Sequence, residues 1–298
     1  MRLNAITMDI KQSTPIIFVG MHRSGTSLLG QLLEQLGLFV GKEKDENNES
    51  LFFQELNTWL MVQCGTRWDN PEPVADLWSD EARPVLDASL KYASDLMSSP
   101  RSARHLGIER YLKHRSIFRF TDPWGWKDPR NTLTLPFWLE LFPDARVIFI
   151  ERHGVDVAES LRVRSSRTIE TARRRYERKK SIAWLRQKRG VFCESPRCLS
   201  LEGGFSLWET YQVSARRHLA TLSGNQLFRV RYEELLDRPL AVVKEVAEFC
   251  ALPVTDSRAR EITASINPSR AYSFRDQAEL VHFAKERQER LNVWDYGL

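Results

Sequence analysis

The feature that most constrains the fold is a short apolar run followed by a glycine-bounded polar loop and a helical pattern. Residues 16–33 read IIFVGMHRSGTSLLGQLL. The apolar run predicts a parallel strand buried on both faces, and the leucine spacing after Gly25 predicts a helix. A strand, a loop and a helix N-terminus form an anion site, because backbone N–H groups converge there and the helix dipole favours negative charge.

The loop differs from a nucleotide-binding P-loop at one position. Gly20 and Gly25 have the spacing of GxxxxGK[ST], but Thr26 stands where the lysine would be. The cation inside the loop is Arg23, which follows His22. We therefore predict a phosphate-like anion as the ligand, held without the lysine that bridges the terminal phosphates of an NTP.

Other apolar runs extend the sheet. ARVIFI at 145–150 and LFRVR at 227–231 are strand candidates, and WGWKDPR at 124–130 returns the chain to the sheet. Strands that alternate with helices predict a parallel sheet with helices on both faces. We predict an α/β fold, a three-layer, P-loop-like, doubly wound sheet with a basic helical insertion, in a single domain over 1–298.

Helical spacing recurs in three segments, 51–64, 129–141 and 155–163. For the second segment Asp128 is a good N-cap and Pro129 a good first helical residue. The passage 67–119, rich in Trp, Pro and charge, predicts loops and helices over the core rather than sheet.

Composition narrows the class of protein. The 298 residues are 42% hydrophobic and 28% charged, which is typical of a soluble globular protein. The sequence has neither eighteen consecutive apolar residues nor a signal-peptide pattern, so we expect a cytoplasmic protein without a transmembrane segment. The four cysteines lack paired CxxC spacing, so we expect reduced thiols and no metal site.

Positive charge is concentrated in one segment. Residues 162–189 contain twelve basic residues against Glu170 and Glu177. The segment is interpreted as a solvated helix face, a lid over the site or a surface that attracts an anionic acceptor. Nucleic acid is not an expected partner, because no recognition motif accompanies the charge.

A second polar motif follows the strand at 145–150. Arg152 stands at its carboxyl end, and Ser160 lies two turns into the next helix. Because neighbouring strand ends share the ligand crevice of a doubly wound sheet, we expect Arg152 beside the glycine loop, where it and Ser160 would hold a second phosphate. Alternatively, Arg152 pairs with Asp156 and Ser160 is solvated.

The two motifs, in this order, resemble those of the PAPS-dependent sulfotransferases. IIFVGMHRSGTSLLGQLLEQLG is similar to their 5′-phosphosulfate loop, and RVIFIERHGVDVAESL to their 3′-phosphate strand and helix. WGWKDPRNTLTLPFWLELFPDARVIFI resembles the connecting region of the bacterial and carbohydrate-type branch, and VRYEELLDRP its RYEDL-type segment. The resemblance is weak across 67–119 and 165–205, which we expect to be the variable acceptor-side segments.

The resemblance implies PAPS as the donor and PAP as the product, used without a metal ion. It assigns the 5′-phosphosulfate to six loop residues: His22, Arg23, Ser24, Gly25, Thr26 and Ser27. It assigns Arg152 and Ser160 to the 3′-phosphate and Tyr232 to the neighbourhood of the adenine. The implied reaction is in-line transfer of a sulfuryl group to a hydroxyl or amine of a carbohydrate, lipid or other small metabolite.

The chain departs from the family pattern at two positions. Gly154 stands where a proline is common, which loosens the turn without removing a ligand. Gln54 stands where related sequences often have a glutamate that acts as base, and an amide cannot take the acceptor's proton.

The catalytic groups are therefore open at this stage. Glu55 is the preferred general base, with Asp128, His22 or a group in 67–119 as alternatives. Arg23, the loop N–H groups and Thr26 are expected to hold the leaving group. Lys127 is expected to reach the sulfuryl oxygens, or else to pair with Asp128 or Glu140.

Two rival functions remain. A nucleotide kinase or NTPase would use VIFIE at 147–151 as a Walker B strand, although the missing lysine argues against it. A non-catalytic PAP- or PAPS-binding module would have kept the loop and lost the base. The sequence determines neither the acceptor nor the oligomeric state.

Overall fold

A computed structural model describes residues 13–181 and 191–297 and contains a four-stranded parallel sheet. The strands are β1 (Ile16–Val19), β2 (Gly125–Lys127), β3 (Arg146–Glu151) and β4 (Leu227–Arg231). Their order across the sheet is β2-β1-β3-β4. Because β1 lies between β2 and β3, the segments after these three strands meet at one edge of the sheet.

Thirteen α-helices surround this sheet in the described ranges. Those of the first half are α1 (Thr26–Gln35), α2 (Leu51–Val62), α3 (Arg83–Met97), α4 (Ala103–Leu106), α5 (Ile108–His114) and α6 (Asn131–Leu141). The others are α7 (Gly154–Lys179), α8 (Leu201–Leu219), α9 (Tyr232–Asp237), α10 (Pro239–Phe249), α11 (Asp256–Thr263), α12 (Ala278–Glu286) and α13 (Gln288–Asn292). None of the helices in these ranges is long and apolar enough to cross a membrane.

Alternating strand residues build a core on each face of the sheet. Ile17 and Val19 of β1 pack in one cluster with side chains of α2, α3, α6 and α8. Ile16 and Phe18 point to the opposite face and pack with α1, α9 and α10. The predicted doubly wound α/β fold with helices on both faces is therefore confirmed.

Two predicted helix boundaries are wrong. Helix α6 begins at Asn131 rather than Pro129, because the Asp128 carboxylate accepts the Arg130 backbone N–H (2.9 Å) in a turn that precedes the helix. Helix α7 continues to Lys179 instead of ending near residue 163. No glycine or proline interrupts it, so most of the basic segment is a continuous helix; residues 182–190 lie outside the described ranges.

The packing around the turn into α7 explains why residue 154 is a glycine. A Cβ on Gly154 would lie 2.6 Å from the indole of Trp208 on α8. Because residue 154 has no side chain, the Trp208 indole packs directly against this turn. Gly154 is therefore required by helix packing.

Candidate functional site

The glycine-bounded loop joins β1 to α1 in a strained backbone conformation. Arg23 and Gly25 both have positive φ, 72° and 96°. A Cβ on Gly25 would lie 2.2 Å from the ring of Tyr232, so this position requires glycine. Helix α1 has no side-chain cap within the described ranges, which leaves the N–H groups of its first turn available to an anion.

The loop and the second motif are in direct contact. Arg23 Nε donates to Ser160 Oγ over 2.8 Å, and Arg152 Nη1 lies 3.4 Å from the Arg23 carbonyl oxygen. The predicted placement of Arg152 and Ser160 beside the loop is thus confirmed. Their role as ligands of a 3′-phosphate stays a prediction.

Arg152 is held from several sides but keeps one donor free. Its Nη2 lies 3.3 Å from Asp156 Oδ2, so the alternative ion pair exists, and it also donates to the Arg270 carbonyl over 3.2 Å. Its guanidinium lies 4.6 Å from the Tyr232 ring centroid. Its Nε is buried without a hydrogen-bond partner among the described residues, and an anion would satisfy it.

Tyr232 is almost completely buried between the two motifs. Only 4% of the residue is exposed, with Gly25 against the ring edge and Arg152 over the face. The Tyr232 ring therefore packs between the glycine-bounded loop and Arg152. The predicted proximity of Tyr232 to an adenine remains a prediction.

Lys127, at the end of β2, is buried beside the loop. Its Nζ donates to Glu49 Oε1 (3.0 Å) and to the Asn47 carbonyl oxygen (2.9 Å). The alternative pairing of Lys127 with Asp128 or Glu140 is therefore wrong. The Asn47 carbonyl also accepts the hydroxyl of Ser27 (2.9 Å), so Lys127 and the loop share one acceptor.

Glu49 is a buried carboxylate that the sequence analysis did not single out. Besides the hydrogen bond from Lys127, its carboxylate accepts hydrogen bonds from Arg130 Nη1 (3.1 Å) and Gln54 Nε2 (2.9 Å). Burial opposes its ionisation, but the charges of Lys127 and Arg130 outweigh burial and hold the pKa of Glu49 below its usual value. Several carboxylates stand between residues 43 and 49, and nothing in their spacing marks the buried one.

The two predicted carboxylate bases lie in different surroundings. The side chain of Glu55 is 56% exposed and pairs with Arg104 (2.5 Å), apart from the cluster around Lys127. Asp128 is fully buried and accepts Asn57 Nδ2 (2.8 Å) and Arg130 Nη1 (2.8 Å). Burial raises the pKa of Asp128 to about 6 against the opposing charge of Arg130.

His22 projects from the loop towards the aromatic side chains behind it. Its ring packs edge to face against Trp68, with the ring centroids 4.9 Å apart. Its Nε2 is buried without a hydrogen-bond partner among the described residues. Burial is the main cause that lowers the pKa of His22 far below 6.5. Four nearby cations lower it further, namely Arg130, Lys127, Arg164 and Arg23. The imidazole is therefore neutral at pH 7, in strongly positive surroundings.

These residues fit an anionic ligand with more than one negatively charged group. Arg23, Arg152 and Lys127 come from three neighbouring strand ends. Within 13–181 and 191–297, Arg152 Nε and His22 Nε2 are buried and have no hydrogen-bond partner. The loop residues Ser24 and Thr26 are buried. Across 13–181 and 191–297 no group of three or more His, Cys, Asp or Glu side chains is placed to hold a metal ion.

Both variable segments reach the site from the side of α7. Arg164, one turn after Ser160, lies over Trp68 (5.7 Å) and pairs with Glu194 (3.1 Å). A small cavity, roughly large enough for one water molecule, lies between the segments. It is lined by Trp68, Leu161, Arg164, Ser165, Thr168, Glu194 and Ser195.

The far end of α7 extends into solvent. Residues 173–180 are all exposed, and their ion pairs are local, such as Arg174 with Glu170 (2.7 Å) and Lys180 with Glu177 (2.8 Å). The interpretation as a solvated helix face holds for this stretch. The start of the helix, which carries Ser160 and Arg164, belongs to the site.

The chain is similar to known proteins in sequence and in fold. The model of the sulfotransferase family matches residues 15–256. The fold is similar to the sulfotransferase domain from the curacin biosynthetic pathway, with 16% identity, coverage of 92% of this chain and 97% of that one, and a TM-score of 0.49.

Two further structures are comparable. For sulfotransferase STF9 from Mycobacterium avium the identity is 17%, the coverage 96% and 78%, and the TM-score 0.45. For a sulfotransferase from Alicyclobacillus acidocaldarius the identity is 15%, the coverage is 94% of this chain and 95% of that chain, and the TM-score is 0.45. No curated protein matches the sequence.

Proposed function

The chain belongs to the sulfotransferase family, and from this premise we propose that it transfers a sulfuryl group from PAPS to a hydroxyl or amine acceptor. The observation that supports the proposal is the hydrogen bond between Arg23 and Ser160, which joins the two motifs that we propose to bind the phosphate groups. A donor with phosphate groups at both ends of a nucleoside needs two such motifs side by side.

The residues at the site divide the work of binding. The loop N–H groups, Arg23 and the hydroxyls of Thr26 and Ser27 would hold the 5′ end of the donor. Arg152 and Ser160 would hold the 3′-phosphate, for which the Nε of Arg152, without a hydrogen-bond partner among the described residues, is available. PAPS, when bound, supplies the sulfuryl group and a phosphate leaving group.

Catalysis then depends on position and charge. In-line sulfuryl transfer spreads negative charge over the transferred group and the leaving oxygen, as phosphoryl transfer does. Lys127 beside the loop and Arg23 within it are held by hydrogen bonds and would stabilise that charge. We propose that these side chains, rather than a metal ion, supply the positive charge.

The acceptor is proposed to be a carbohydrate, a lipid or another small metabolite. Trp68 comes from one variable segment and Glu194 from the other, and Arg164 contacts both. The excess of arginine over acidic residues in α7 favours an anionic acceptor, because positive charge raises the local concentration of an anion.

Calorimetric titration tests the donor. We expect PAP to bind without added metal, and ATP with magnesium to bind weakly or not at all. Binding of ATP together with failure to bind PAP would contradict the proposal and favour the kinase alternative. Labelled-sulfate transfer from PAPS to glycan, lipid and phenolic acceptors tests turnover, and PAP binding without transfer to any acceptor indicates a binding module.

A further inference from the structure

Transfer to a hydroxyl requires a group that takes the acceptor's proton, and the surroundings of the carboxylates distinguish them. The Asp128 carboxylate accepts a hydrogen bond from Asn57 Nδ2, which also donates to Asn131 Oδ1 (2.8 Å). Asn131 Nδ2 in turn donates to the Phe18 carbonyl oxygen (3.0 Å). Asp128 thus belongs to a buried network that joins α2, α6 and β1. Glu55 faces Arg104 at the surface.

Glu49 differs from both because its loop is in contact with the phosphate-binding loop. Lys127 joins the Glu49 carboxylate to the Asn47 carbonyl, and Ser27 of the phosphate-binding loop donates to that same carbonyl. PAPS bound at the phosphate-binding loop would compete with Asn47 for both donors, the loop phosphate for Ser27 Oγ and the sulfuryl group for Lys127 Nζ. Glu49 is therefore the described carboxylate tied most directly to donor binding.

We propose, on the basis of the proposed function, that Glu49 is the general base. The acceptor oxygen forms a bond to sulfur, the bond from sulfur to the phosphate oxygen breaks with its electron pair on that oxygen, and the acceptor's proton moves to the Glu49 carboxylate. As Glu49 loses its charge, its hold on Lys127 weakens. Lys127 is then available to the oxygen on which negative charge develops.

Gln54 explains why the carboxylate is at position 49. Gln54 Nε2 donates to Glu49 Oε2 (2.9 Å) and to Asp45 Oδ2 (3.2 Å). A carboxylate at position 54 would face Glu49 and Asp45 with like charge, whereas the amide donates to both. The two side chains touch, so an amide and a carboxylate are able to exchange places.

This exchange gives the test. The full chain is given radiolabelled PAPS with water as the acceptor, and the release of sulfate is measured together with calorimetric binding of PAP. We expect E49Q to lower turnover by about 100- to 10,000-fold while PAP affinity changes less than about threefold. We expect the double variant E49Q/Q54E to turn over at least tenfold faster than E49Q. The turnover of E49D should lie between those of E49Q and the unsubstituted chain. The matched control E46Q, an exposed glutamate of the same loop, keeps turnover and binding.

Several results would overturn the inference. If E49Q retains turnover, Glu49 takes no proton. If E49Q lowers turnover and neither E49Q/Q54E nor E49D restores any of it, Glu49 only positions Lys127. If E49Q weakens PAP binding as much as turnover, Glu49 acts in donor binding and not as the base. PAP binding without PAPS turnover by the unsubstituted chain also overturns it and leaves donor binding intact, whereas failure to bind PAP overturns the proposed function itself.

Discussion

Arg23 Nε lies 2.8 Å from Ser160 Oγ, so a loop at the end of β1 and a helix that follows β3 are joined by one hydrogen bond. The bond crosses the boundary between the two strands that form the centre of the sheet. It fixes the guanidinium of Arg23, whose backbone already has a positive φ. The loop cation is thus oriented before any ligand arrives, which lowers the entropic cost of binding.

The first prediction concerns this hydrogen bond. Ser160→Ala removes the acceptor of Arg23 Nε and one proposed contact to the donor, so we expect PAP affinity to fall about 5- to 10-fold. The control is Ser166→Ala, an exposed serine on the same helix, which should leave the affinity unchanged. Calorimetric titration measures both, and equal affinities for the two variants would contradict the assignment.

The second prediction separates the roles of two cations. Arg152→Ala removes a buried Nε that has no hydrogen-bond partner in the part of the chain that the structure describes. We expect PAP affinity to fall about 10- to 100-fold, the magnitude of a charged hydrogen bond. Lys127→Ala should lower PAP affinity much less, because Lys127 is proposed to contact the sulfuryl group that PAP lacks. Arg174→Ala, exposed on α7, is the control. Equal losses for Arg152→Ala and Lys127→Ala would refute this division.

The third prediction concerns the shape of the loop. Gly25→Ala places a Cβ 2.2 Å from the Tyr232 ring at a φ of 96°, so we expect a loss of unfolding free energy of at least about 1–2 kcal/mol and weaker PAP binding. A Cβ on Gly30 of α1 meets no described atom within 4 Å apart from its own helix backbone and chain neighbours, so Gly30→Ala should instead stabilise the chain by about 0.5–1 kcal/mol. Urea unfolding measures both variants, and similar effects would argue against a constrained loop.

The core of the site could be predicted from sequence because its parts are local. The loop of Arg23 and the strand end of Arg152 each occupy a short segment, and parallel strand order brings such ends together. Glu49 could not be found this way. Its importance depends on contacts with Lys127 and Arg130, which are about 80 residues away in the chain.

The length of α7 was missed for a related reason. Apolar spacing ends near residue 163, no residue of the helix after that point is fully buried, and residues 173–179 are exposed, so no buried stripe marks it. High helix propensity and local ion pairs, such as that of Arg174 with Glu170, continue the helix. A pattern based on burial does not detect a helix that extends into solvent.

The last prediction concerns acid stability near Glu49. His105 is buried, and its Nδ1 lies 2.9 Å from the hydroxyl of Ser50, the residue after Glu49. Burial lowers the pKa of His105 to about 3 in the folded chain. The unfolded chain binds a proton below about pH 6.5 that the folded chain does not bind, so the stability contributed by neutral His105 is lost as the pH falls below 6.5.

From pH 6.5 to 5 this loss amounts to about 2 kcal/mol, because each pKa unit corresponds to about 1.4 kcal/mol. Urea unfolding at both pH values measures it, and His105→Gln should remove that part of the pH dependence even where it lowers overall stability. The control is His282→Gln, whose side chain is 76% exposed and paired with Glu286. If His105→Gln and the unsubstituted chain lose the same stability between the two pH values, His105 is not the group that titrates. Other carboxylates and histidines contribute to the pH dependence of both chains, so the difference between them isolates His105.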